Sequence, residues 1–222
     1  MTAPWGAGPA LFMWIAGFFL IIVSAGLALV VFPGLTQMQT AILIEIVTVI
    51  PILAYLRLNG LPVSVLGFRK GRVSFVLALS VVLGLASLGL SVAWGTGLSF
   101  LIPGYEQYIQ NVPRITPSSP EELVMWGAIT LILVGPMEEI LSRGFVQQGM
   151  ETRFGKKWGL IIASLMFGAI HFEPSAAANA FVIGLVLGYA YQRTGNNLWI
   201  PIGMHVIFDW AVLILMFLFP LT

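Results

Sequence analysis

Apolar residues in this chain do not alternate with polar ones but run in long blocks broken by short polar or glycine- and proline-bearing stretches. The blocks fall at roughly 9–32, 37–57, 73–102, 121–150, 158–172, 175–193 and 198–219. A helix needs about 20 apolar residues to cross a hydrocarbon core ~30 Å thick, so the pattern predicts about seven membrane-spanning helices. No period-two alternation competes, and in lipid a helix satisfies its own backbone hydrogen bonds. The fifth block is short, which suits a little-tilted span or a re-entrant segment. The expected fold is all-α, a polytopic transmembrane helical bundle forming one integral membrane domain over 1–222. Its chemistry is expected in a core at about 121–219.

The breaks between blocks carry their own signals. Residues 1–8 hold no Lys or Arg, and the run Pro9 to Phe32 is too long for the apolar region of a signal peptide, so it reads as a retained first span. The 103–120 stretch, PGYEQYIQNVPRITPSSP, is the largest connection on its side. It ends in Ser119-Pro120-Glu121-Glu122: a capping hydroxyl, a proline suited to the first helical position and a glutamate three residues on that can complete a capping box. Arg57, Arg69, Lys70, Arg72, Arg153, Lys156, Lys157 and Arg193 all fall in connections of one side; Arg114 alone falls opposite. Basic loops stay in the cytoplasm, so the expectation is a multi-pass cell-membrane protein with a cytoplasmic N-terminus.

Composition agrees. Of 222 residues 59% are hydrophobic and 9% charged, against about 25% charged in soluble domains. The lipid bilayer is the expected partner. A net charge of +1 with no basic block offers nothing for nucleic acid. The absence of cysteine excludes disulfides, thiolate metal sites and a thiol nucleophile.

Ionisable groups within spans are costly in lipid and mark function more often than not. Here they are Glu45, Glu138, Glu139, Arg143, His171, His205 and Asp209. Glu139 and Arg143, four apart, share a helix face and can pair. Glu138 points about 100° away and has no partner of opposite sign on its helix. Pro136 just before it removes a backbone donor and can open a kink. Phe167 and His171 share a face, as do His205 and Asp209. Each feature also has a plain structural reading: a Glu–Arg lock, an interfacial histidine, a His–Asp bond bracing the bundle. Glu45 has no obvious partner: facing a cavity or neutralising an arginine are open to it, and a structural role is favoured. Gly184 and Gly188 form a small-residue patch for close helix contact, and Asn179 is placed for an interhelical hydrogen bond. At 1.5 Å per residue, Glu138 and His171 lie ~22 and ~21 Å above their basic flanks. His205 and Asp209 come out at ~10 and ~16 Å above Leu198, shallower unless the last helix tilts or is set deeper.

Glu with His is a competent base arrangement, and a second His with a polar neighbour can stabilise an oxyanion. Glu138, His171 and His205 are also candidate ligands for zinc, two His and one Glu being a known catalytic set.

The pieces Glu138-Glu139-x-x-x-Arg143, Phe167-x-x-x-His171 and His205-x-x-x-Asp209, in this order, resemble the motifs of the type II CAAX prenyl endopeptidases, also called the CPBP intramembrane metalloprotease or abortive-infection family. Leu66-Gly67-Phe68-Arg69-Lys70 is similar to that family too. The resemblance implies hydrolysis of a peptide bond by a CAAX-type protease inside the membrane. By it Glu138 and His171 activate water, His205 and Asp209 stabilise the oxyanion, and Glu139, Arg143 and Phe167 shape the site. It allows zinc or a metal-free glutamate mechanism, the latter favoured. Asp209 stands where the family often has Asn, an amide that donates directly; an aspartate donates only when protonated, and otherwise orients His205 or favours a metal. The implied substrate is an unprenylated peptide or membrane protein. A non-catalytic membrane protein of the same fold, such as a bacteriocin-immunity factor or scaffold, and a proton-coupled transporter are the competing readings. Paired inverted repeats would favour transport, and the sequence has none.

Overall fold

The computed structural model describes residues 3–112 and 114–220. Residues 1–2, part of the N-terminal segment expected on the cytoplasmic side, and Pro113 of the 103–120 connection lie outside them. Among the described residues every regular element is helical. The helices are α1 (Ala7–Val30), α2 (Gln37–Leu58), α3 (Val73–Leu101), α4 (Tyr105–Gln110), α5 (Pro120–Ile129), α6 (Gly135–Glu139), α7 (Gln148–Ala169), α8 (Pro174–Arg193) and α9 (Trp199–Leu218). Two π-helical turns, Thr130–Val134 and Ile140–Gln147, join α5, α6 and α7 into one continuous run.

Six helical stretches are long and apolar enough to cross a membrane, the run Pro120–Ala169 counting as one. That run is not straight. Gly155 takes φ 72°, ψ 170°, outside any helix. A Cβ on Gly159 would lie 2.7 Å from the backbone nitrogen of Glu151, although eight residues of straight helix span about 12 Å. The chain therefore doubles back at Gly155. Its two arms occupy the positions of the fourth and fifth expected spans, and the second arm is the short one.

The ends are set by local chemistry. Ser119 caps α5 by accepting from the Glu122 N–H at 3.2 Å. Glu122 reaches one residue beyond the expected box, accepting from the backbone N–H of Ser118 at 2.7 Å. Thr36 and Gln39 form a full capping box on α2. At the chain start Trp5 is buried, donating to the carbonyl of Phe145 at 2.9 Å and stacking on that ring.

Small residues bring the helices close. A Cβ on Gly84 of α3 would meet Ile207 and the Met204 carbonyl of α9 within 2.9 Å, and one on Gly203 of α9 would strike Ser80. Gly184 and Gly188 of α8 face the buried π turn, and Ser91 of α3 donates to Asn179 of α8 at 2.8 Å. The expected close contact and the interhelical bond are both present.

The start of α9 is held by the Leu66–Arg69 tract. Gly67 has φ 106°, a conformation suited to glycine, and a Cβ there would sit 2.5 Å from the Asn196 carbonyl. The Leu198 N–H donates to the Gly67 carbonyl at 2.8 Å, the Tyr191 hydroxyl to Leu66 at 3.1 Å, and Arg69 to Asn196 at 3.1 Å. Leu198 and Ile200 are fully buried. The last helix thus begins inside the protein, and this brings His205 level with Glu138.

Candidate active site

The polar groups come together between two apolar clusters. One joins Val49 of α2, Ile140 of the second π turn and Val206 of α9; the other joins Ile42 of α2, Val134 of the first π turn and Leu213 of α9. Between each pair of bracketing residues lies a carboxylate: Glu45, Glu138 and Asp209.

Glu139 is completely buried. Its Oε1 accepts from Arg143 Nη1 at 2.7 Å and stands 2.9 Å from His205 Nδ1. Arg143 also donates to the Gly184 carbonyl at 3.1 Å, and its guanidinium lies 4.3 Å over the Phe167 ring. The expected Glu139–Arg143 pair is therefore present and extended to a third helix. A carboxylate can only accept, so the shared proton is on His205 Nδ1 and Nε2 faces away from Glu139.

That Nε2 lies 3.9 Å from Glu138 Oε2 and 3.6 Å from Asp209 Oδ2. Both gaps exceed a direct hydrogen bond and suit one bridging water. Glu138 Oε2 is buried and has no hydrogen-bond partner among the described residues. A residue larger than Gly135 would hold α9 off, because its Cβ would fall 2.7 Å from Val206. Pro136 follows the first π turn in the opening turn of α6, where a missing N–H costs little. π turns concentrate at functional sites, and here two of them flank Glu138 and Glu139.

His171 closes the second arm of α7. Its Nδ1 lies 2.9 Å from the Phe167 carbonyl, leaving Nε2 unengaged. The rings of His171 and His205 both meet Phe167 edge-on, with centroids 5.0 and 6.1 Å away. Among the described residues no carboxylate oxygen comes within 4.0 Å of a His171 nitrogen. The structure thus gathers Glu138, His205 and Asp209 and holds His171 one ring away. Orientation of His205 Nδ1, a role the sequence left open for Asp209, falls to Glu139. Among the described residues no three His, Asp or Glu side chains are grouped closely enough to hold a metal ion.

Asp209 lines a cavity of about 560 Å³ with mostly apolar walls, formed by α3, α4, Val112, Arg114, Ile115, α5, the first π turn, the start of α8 and α9. Tyr105 and Ile109 of α4 border it, as does Glu173 at the start of α8. Glu173 accepts from the backbone N–H groups of Ser175 and Ala176 at 2.9 and 2.7 Å, and from the hydroxyls of Ser175 and Tyr108. Burial pushes its carboxyl up, but these four bonds outweigh burial and hold it down at about 2, against 4.5.

Residues 120–211 match the family model described as type II CAAX prenyl endopeptidase Rce1-like. That segment, 92 of the 222 residues, resembles this family. No curated protein and no solved structure matches it. The matched segment holds every motif residue of the CAAX endopeptidase pattern from Glu138 to Asp209. Helices α1 to α4 lie outside it.

Glu45, favoured as structural from the sequence, lies within electrostatic reach of Glu138, His205 and Asp209. Its signal was the four-residue interval to Val49 and the three-residue interval to Ile42, which put it on the inward face of α2.

Proposed function

We propose that this chain is an intramembrane endopeptidase that hydrolyses a peptide bond of a membrane-associated protein or peptide. One observation carries the reading: a buried carboxylate oxygen of Glu138 with no hydrogen-bond partner among the described residues, 3.9 Å from an imidazole nitrogen whose orientation Glu139 fixes. Water between Glu138 Oε2 and the substrate carbonyl gives a proton to Glu138 while its oxygen bonds the carbonyl carbon. His205, carrying a proton on Nε2, donates to the oxygen that becomes negative. The C–N bond then breaks and the amine leaves with a proton. The family resemblance gives His171 a share in activating the water; its ring meets the edge of Phe167, as does that of His205. The proposed route is metal-free, with Glu138 as the group that receives water's proton. The apolar cavity ending at Asp209 suits an apolar substrate segment.

Purified protein in proteoliposomes, given labelled apolar peptides, tests this. General-base catalysis contributes about 10²–10⁴-fold, so Glu138→Gln should lower cleavage by that much, and His171→Ala strongly, with melting temperatures unchanged. Wild-type rates in Glu138→Gln would overturn the proposal. We further place the N-terminus in the cytoplasm of a cell membrane, since the basic loops share one side. Because the chain has no cysteine, a single cysteine at Ser118 should react with an impermeant maleimide from outside intact cells. Labelling only after lysis would reverse the topology.

A further inference from the structure

Hydrolysis of an amide needs two proton transfers: one from water, and one to the nitrogen that leaves. Glu138 accounts for the first. Glu45 is placed to account for the second.

Glu45 stands at the level of the site, bracketed on α2 by Ile42 and Val49. The same two clusters bracket Glu138 between Val134 and Ile140, and Asp209 between Val206 and Leu213. Three carboxyls from three helices thus occupy one layer around His205. Helix α1, also packed on α2, brings no ionisable side chain. The groups acting on Glu45 are therefore Glu138, His205 and Asp209; Glu139 and Arg143 are paired with each other beside His205.

The charges of this layer do not balance. Arg143 offsets Glu139. One imidazole remains for three carboxyls. Like charges in one poorly solvated layer repel, so a proton shared among the three carboxyls stabilises it. Glu138 and Asp209 each have His205 Nε2 within 4.0 Å. Glu45 has no Lys, Arg or His nitrogen within that distance among the described residues. The shared proton rests where no cation favours the anion.

We propose that Glu45 is the general acid of the site. This rests on the endopeptidase reading. Water's proton passes to Glu138 as its oxygen bonds the carbonyl carbon. The C–N bond breaks, and the nitrogen leaves with the proton of the Glu45 carboxyl. The proton on Glu138 then returns to Glu45 through the layer, leaving an acid and an amine from one peptide and one water.

A leaving-group comparison tests this. Two apolar probe peptides are used, identical except that one carries an ester in place of the scissile amide. An alkoxide-type leaving group depends far less on protonation than an amine does. Glu45→Gln should lower kcat on the amide about 100-fold and leave the ester within a few-fold of wild type. Glu45→Asp, which keeps the acid on a shorter arm, should recover part of the amide rate and serves as the second variant should Gln fold poorly. Glu138→Gln should lose both substrates. Equal loss of amide and ester in Glu45→Gln, or full activity on both, overturns the general-acid role and leaves the endopeptidase reading standing. A wild-type protein that cleaves neither probe overturns that reading, and this inference with it.

Discussion

A single oxygen organises the chemistry. Glu139 Oε1 serves both Arg143, 2.7 Å away, and His205, 2.9 Å away. Removing one partner of a buried ion pair costs about 3–5 kcal/mol, because the other charge is left without compensation. Glu139→Gln should therefore lower stability in detergent by about that much and free the His205 ring to turn. Replacing both partners, as Glu139→Leu with Arg143→Met, should cost clearly less than the two single changes added together. Thermal melts of the four proteins check this; strict additivity would mean the pair is not coupled. Half of the arrangement was legible in the sequence. The four-residue interval from Glu139 to Arg143 fixes a shared face by helix geometry alone. The bond from Glu139 to His205 joins residues 66 apart and depends on how far α9 is sunk, which no local spacing encodes.

That depth belongs to the elements. Counted from Leu198, His205 came out shallower than Glu138, yet the two side chains approach to 3.9 Å. The difference arises because Leu198 is no surface anchor: it is fully buried and tied by its N–H to Gly67. The Leu66–Arg69 tract, which looked like a family signature without a task, is the seat on which α9 starts. Gly67→Ala would force an L side chain to φ 106° with its Cβ 2.5 Å from the Asn196 carbonyl. The backbone strain alone is worth about 1–3 kcal/mol, and the clash pushes the 196–200 turn outward and His205 with it. The variant should melt lower and lose cleavage while Glu138, Glu139 and His205 are all intact. Gly155→Ala makes a useful contrast. Its φ is 72°, but open space surrounds it, so it should lose stability without displacing the site. Equal activity loss in both would argue against the seat. The π turns on either side of α6 were also hidden, since an extra residue per turn leaves an unbroken apolar block looking the same.

At the scale of the molecule, hydrophobic block length recovered the spans well because lipid leaves the backbone little choice but helix. It could not show that α4 borders the apolar cavity. Helix α4 borders that cavity through Tyr105 and Ile109 and is tied to the start of α8 by the Tyr108 hydroxyl bonded to Glu173. The bond raises the Tyr108 hydroxyl above its usual range and, with the cap bonds, holds Glu173 at about 2. A carboxyl depressed in the folded state adds stability that is fully present above its unfolded value of 4.5. That contribution fades as pH falls below 4.5 and is gone once pH passes through about 2. Amide hydrogen exchange over 105–112 and 174–177 should therefore be steady from pH 7 to 5, after correction for the intrinsic rate, and rise together in acid. Tyr108→Phe separates the two ends of the contact. It removes the donor from α4 and leaves the Ser175 and Ala176 bonds to Glu173, so residues 105–112 should exchange faster at neutral pH while 174–177 stay protected. Unchanged protection of 105–112 in that variant would show that the apolar contacts of Tyr105 and Ile109 alone hold α4 beside the cavity.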